Sequence, residues 1–307
     1  ASHDYRETGG LNPNIRALIA YNTDSKVTKT VRTNGVLIAQ VTPRGGIISG
    51  QSSVMYLDGW NWEDAQLKAD DGMHLNWPSS YYSTGWWAEP GKTEENKEYN
   101  NKTEEIIRLF SKAFAYAISS NIMDLKMESM QGLFNGDKTL YIHVNKSNDM
   151  RDAIDFSKKF NIKKMVIVGG EDAIKITSLL KKNNIPLILN RVHRLPSSED
   201  KAIDDPFTQA LKLQEAGILF CLSYAGDMEA MGARNLPFSA GTTVAYGQAY
   251  ENAIKSITLN AAKILGVDNI VGSIEKGKDA TFFVSTGDAL DIRTNNLEYA
   301  FIKGKSI

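Results

Sequence analysis

Two rhythms of apolar and polar residues run along this chain. In its middle, two short apolar runs at 139–144 and 165–168 flank a segment, 150–160, whose apolar residues Ala153, Ile154, Phe156 and Phe160 recur at helical spacing. A short uninterrupted apolar run bounded by polar residues fits a buried strand, and a helix between two such strands predicts one strand–helix–strand unit of a parallel sheet. The same beat extends downstream. It predicts helices over 172–182, 206–216, 237–246 and 249–265, with strands over 185–192 and 218–224. Upstream it predicts a helix over 24–34 running into a strand at 35–41, then strands at 52–57 and 73–77. The stretch 103–119 carries Ile106, Ile107, Phe110, Ala113, Phe114 and Ala117 on one stripe, the mark of an amphipathic helix. Thr103, Glu104 and Glu105 put a cap and negative charge at its start.

About six body strands alternating with helices place the chain in the α/β class, as a parallel barrel or an open doubly wound sheet. No GxGxxG turn follows any strand, which favours a TIM-type (β/α) barrel. From Gly272 onward the rhythm changes to β-like alternation with Gly-Lys turns. The expected organisation is therefore a barrel over 1–271 and part of a small β-sandwich over 272–307.

Composition narrows the function classes. The formal net charge is −1, so nothing points to nucleic acid or to an anionic membrane. No apolar stretch reaches membrane-spanning length. A single cysteine, Cys221, excludes both an internal disulfide and a multi-cysteine zinc site. Compartment stays open between cytoplasmic and exported. The first residues are polar and loop-like with no strand before them, so the chain is expected to begin inside a longer protein. A homo-oligomer, or a missing segment or partner chain completing the barrel, is the expected assembly.

In α/β folds ligands gather beyond the carboxyl ends of parallel strands. One predicted strand ends at His143, the next at Gly169 and Gly170, a third at Arg191, His193 and Arg194. The last three would make a cationic rim for a carboxylate-bearing substrate, or would pair with Glu199, Asp200, Asp204 or Asp205. Gln51, Ser52 and Asn76 are candidate substrate hydrogen-bonders. Asp227 and Glu229 are candidate bases or late metal ligands, or part of a solvated loop. The glycine-rich 42–50 segment is a tight turn, or a loop presenting N–H groups to a ligand with Arg44 adding charge. Trp60, Trp62, Trp77, Trp86 and Trp87 fall in one segment and are expected to form a wall, or a local cluster under a loop. His74 receives no assignment.

The tail carries the most specific pattern. ITLNAAKILGVDNIVGSIEKGKDATFFV followed by GDALDIRTNNLEYAFIKGKSI closely resembles the C-terminus of the amidohydrolase superfamily, its imidazolonepropionase-like members in particular. LPFSAGTTVAYG, HVNKSND and GVLIAQVTPRGGIISG fit as well, so the resemblance spans essentially the whole chain. It implies a (β/α) barrel holding one or two divalent metals, zinc first, that activate water to cleave C–N bonds of small amides or cyclic amides. It also implies metal ligands from an H-x-H pair, a lysine or glutamate, two later histidines and a final aspartate.

This sequence departs from that set. Its histidines are His3, His74, His143 and His193, with no H-x-H; the resemblance implies that this pair, the first strand and the N-terminal half of the sandwich precede Ala1, so the barrel is expected to be incomplete at its N-terminus. His143 stands where the first later histidine belongs. Gly169 stands for the second, Ser223 and Tyr224 occupy the place of the aspartate, and Asn76 replaces an acidic residue. Three readings follow. One is a hydrolase whose metal is held by His143 and by histidines on a missing segment. Another is a metal-free, catalytically degenerate homologue that binds or scaffolds. The third is one half of a split protein.

Overall fold

The computed structural model describes residues 7–86, 89–119, 123–196, 201–224 and 229–307. In chain order the elements begin with α1 (Lys26–Arg32), β1 (Ile38–Val41), β2 (Ile48–Tyr56) and β3 (Gln66–Asn76). A hairpin, β4 (Tyr81–Trp86) and β5 (Glu89–Glu95), precedes α2 (Tyr99–Ser119) and α3 (Leu125–Asn135). Then come β6 (Thr139–Val144), α4 (Ser147–Lys159), β7 (Met165–Gly169), α5 (Thr177–Lys182), β8 (Leu187–Leu189), α6 (Asp205–Glu215) and β9 (Phe220–Leu222). The chain continues through α7 (Glu229–Gly232), α8 (Leu236–Ala245), α9 (Tyr250–Ile257) and α10 (Leu259–Leu265) to β10 (Phe282–Ser285), β11 (Leu297–Ile302) and β12 (Lys305–Ser306).

Seven strands form one sheet in the order β1-β2-β3-β6-β7-β8-β9. From β3 to β9 all neighbours are parallel. Alternate residues of β6 go to opposite faces, as a strand requires. Leu140, Ile142 and Val144 join Met73, Leu75 and Trp77 under the helices α2, α3 and α4. Tyr141 turns the other way and packs with Val166, Val168, Ile188, Cys221 and, from α10, Ile264. Burial on both faces explains why these strands read as continuous apolar runs.

Two expectations are corrected. The sheet has seven strands, not six, and β1, β2 and β3 are antiparallel. The links 42–47 and 57–65 are short and contain no helix, so they suit antiparallel neighbours; a parallel crossover needs a dozen or more residues. In keeping with a barrel incomplete at its N-terminus, the ring is not closed by the described residues: β1 and β9 are the two ends of the sheet. The helix before β1 nevertheless packs against α7 and the short 3-10 turn Ala233–Asn235, both of which follow β9. This is the arrangement of a curled, incomplete barrel.

Trp60, Trp62 and Trp77 do not make one wall. Trp77 is in the core and donates to the Tyr99 hydroxyl, Trp62 packs on a separate cluster around Leu18 and Met55, and Trp60 is exposed. Trp86 lies on the β4–β5 hairpin, and Trp87 falls outside the described residues. The 249–265 helix breaks at Thr258, whose φ of −128° and ψ of −93° lie outside the helical region. The tail sheet β10-β11-β12 is antiparallel. It is tied to the body where Tyr56 donates to Asp279 at 2.5 Å and where Phe283 covers Gly35. At φ +92°, with a Cβ falling 2.4 Å from the Phe283 ring, position 35 requires glycine.

Candidate functional site

The parallel register of β3 and β6 sets Asn76 beside His143 and His74 beside Tyr141, toward the carboxyl ends of both strands. Two imidazoles from adjacent strands are thereby brought into contact. His74 Nδ1 and His143 Nε2 lie 2.8 Å apart in a hydrogen bond. His74 is buried at 3% exposure, whereas His143 is half-buried. Burial lowers the His143 pKa to about 4, and burial followed by its histidine neighbour holds His74 well below the ordinary value. Both rings are neutral at pH 7.

Beneath the pair lies a buried polar layer. The His74 ring stacks on Tyr141, with centroids 4.8 Å apart and planes 15° apart. Tyr141 donates to Asp71 at 2.7 Å, and the same carboxylate accepts from Ser52 Oγ and Gln40 Nε2, each at 2.8 Å. Burial nonetheless raises the Asp71 pKa; the three donors oppose that rise. One atom is left over: His74 Nε2 is buried without a hydrogen-bond partner.

The other predicted residues go to different places. Asn76 stands next to the pair, but its amide is spent on the Gly46 carbonyl at 2.8 Å and on Ser49 Oγ at 3.0 Å, pinning the glycine-rich loop. Gly46 has φ +68° and abuts the Gly10 carbonyl, so the loop is a close-packed turn. Gln51 lies at the level of the beginning of β6, away from His143, bonded to the Pro13 carbonyl and to Lys138. Ser52 is in the Asp71 layer. Beyond β8, Arg194 pairs with Glu171 at 3.2 Å; of the acidic residues that follow it in sequence, Glu199 and Asp200 lie outside the described residues. His193 shares a 2.7 Å hydrogen bond with Thr242, and its pKa is lowered by burial and then by Arg191. Of the expected cationic rim, Arg194 is thus paired with Glu171 and His193 with Thr242. A cavity of about 130 Å³ opens beside it, lined by Arg194, Lys201, Asp172 and Gln209 among others, with Lys201 paired to Asp172 at 2.8 Å. Asp227 lies outside the described residues.

His74 was legible in principle. The segment 72–77 alternates Gly, Met, His, Leu, Asn, Trp, so Met73, Leu75 and Trp77 take one face and His74 shares the other with Asn76.

The described residues do not fit a metal. Zinc–nitrogen distances of about 2.0–2.1 Å in a tetrahedral site put two imidazole ligands roughly 3.3 Å apart. The His74 and His143 nitrogens are closer than that and bond each other instead. Gly169 offers no side chain, has φ +104°, and a Cβ there would stand 2.4 Å from Asn145 Oδ1. Ser223, past β9, turns its hydroxyl back onto the Leu189 carbonyl at 2.7 Å. Among the described residues no group of three or more His, Cys, Asp or Glu side chains could hold a metal ion.

Comparison with known proteins agrees with this architecture. The model of the amidohydrolase family matches residues 125–307. An amidohydrolase from Thermotoga maritima superposes with a TM-score of 0.82 at 23% identity, over 99% of this chain and 80% of its own, a likeness of fold. An Xaa-Pro dipeptidase with bound methionine (14% identity, TM-score 0.48) is covered over 55% of its length by 80% of this chain. An adenosine deaminase from Xanthomonas campestris with bound zinc (15% identity, TM-score 0.42) is covered over 56% of its length by 67% of this chain. The chain thus spans little more than half of these last two proteins. No functionally curated protein matches it.

Proposed function

The chain belongs to the amidohydrolase family, and from that premise we propose that it takes part in hydrolysis of a C–N bond in a small amide or cyclic amide, supplying the substrate-facing part of the site. The carrying observation is the uncharged His74–His143 pair toward the carboxyl ends of β3 and β6, with His143 the less buried of the two. A neutral imidazole at that place can give or take one hydrogen bond with an amide group. The divalent metal that the resemblance implies is not built into this reading. The described donors do not fit one, and metal donors would have to come from elsewhere in the protein.

A second reading has its own observation. The glycine at 169, with Asn145 in the space a side chain would need, supports a degenerate, metal-free homologue that binds or scaffolds.

Release of ammonia or amine from a panel of small linear and cyclic amides, measured with the full-length protein, separates the two. The first reading expects turnover, with KM raised several-fold by His143→Ala. Binding without turnover across the panel overturns it in favour of the second.

A further inference from the structure

A neutral imidazole exists in two tautomers, and which of its nitrogens carries the proton is set by its neighbours. The 2.8 Å contact between His74 Nδ1 and His143 Nε2 holds a single proton. If His74 donates it, His143 must carry its own proton on Nδ1; if His74 accepts it, His143 Nδ1 is bare. The two rings are thus linked.

His74 is itself held. Its ring lies flat on Tyr141, Tyr141 is anchored through its hydroxyl to Asp71, and Asp71 is fixed by Ser52 and Gln40. Its Nε2 is sealed from solvent with nothing to exchange a proton with. A buried ring so placed has neither room to turn nor a partner that would favour a swap of tautomer.

We infer that His74 is the positioning residue of this site, fixing His143 in one orientation and one tautomer so that its other nitrogen, Nδ1, has a constant role as donor or acceptor. This rests on the proposal that His143 meets the substrate, but it is tested on nitrogen atoms and not on turnover.

Nitrogen NMR of the histidine-labelled full-length protein at neutral pH provides that test. The wild type is expected to give two well-separated His143 ring signals, one protonated and one bare. His74→Phe keeps the stack on Tyr141 and removes the nitrogen; its His143 signals are expected to move toward a common averaged position. His74→Asn places an amide near the position of Nδ1 and is expected to restore the separation. Averaged His143 signals in the wild type, or unchanged signals in His74→Phe, would overturn the inference. Should the Phe variant fail to fold, the wild-type spectrum decides alone. Loss of amide hydrolysis with the nitrogen pattern intact would count against the proposed function and leave this inference standing.

Discussion

His143 joins chemistry and stability in one residue. Its folded pKa of about 4 lies below the ordinary 6.5, so between those values the unfolded chain binds more protons than the folded one. Its contribution is fully present above pH 6.5 and is lost as pH falls toward 4. The ring is half-buried, so this loss is about 2 kcal/mol. In His143→Gln, which keeps a partner for His74 but does not titrate, the drop in unfolding free energy from pH 7 to pH 4.5 is expected to be smaller by about that amount. Equal drops in urea titrations of the two proteins would contradict the assignment. At this scale the sequence was half legible. His143 stood out because it ends an apolar run, and His74 did not, because nothing in an isolated strand says which neighbour its far face will meet. Asn76 and Gln51, expected to hydrogen-bond a substrate, bond within the protein instead, Asn76 to Gly46 and Ser49 and Gln51 to Pro13 and Lys138.

Among the elements, those buried on both faces were the easiest to read. β6, α4 and β7 lie within a residue or a few of their expected bounds because period and length agree. The aromatic nest under them shows why this unit is central: Phe110 of α2 meets Phe156 and Phe160 of α4 with centroids 4.8 and 5.7 Å apart. Phe110→Ala is expected to cost about 3–5 kcal/mol in chemical denaturation, the range for an aromatic removed from a packed core; a loss under about 1 kcal/mol would mean that the nest collapses to fill the gap. The β4–β5 hairpin was illegible for the opposite reason. Its strands are mostly exposed, and YYSTGW and EPGKTEE bury too little to show a period. Strand direction was equally hidden, since alternation is the same for parallel and antiparallel pairs; only the short links around β2 carried that information.

For the whole molecule, the tail motif disclosed the family before any strand could be placed, because a turn sequence such as GSIEKGKDA is more specific than a hydrophobic run. What it did not disclose was the state of the sheet. The seven strands curl without closing, and the helices following β9 reach the helix before β1. Arg194 is tied to Glu171, and the place where the resemblance implies a second histidine is Gly169, with Asn145 in the space a side chain would need. The central claim is that His143 faces substrate and does not hold a metal. Metal content by mass spectrometry, of the full-length wild type and of His143→Ala purified side by side, tests it most directly. The same metal content in both proteins is the predicted result; a stoichiometric metal present in the wild type and lost from His143→Ala would contradict it.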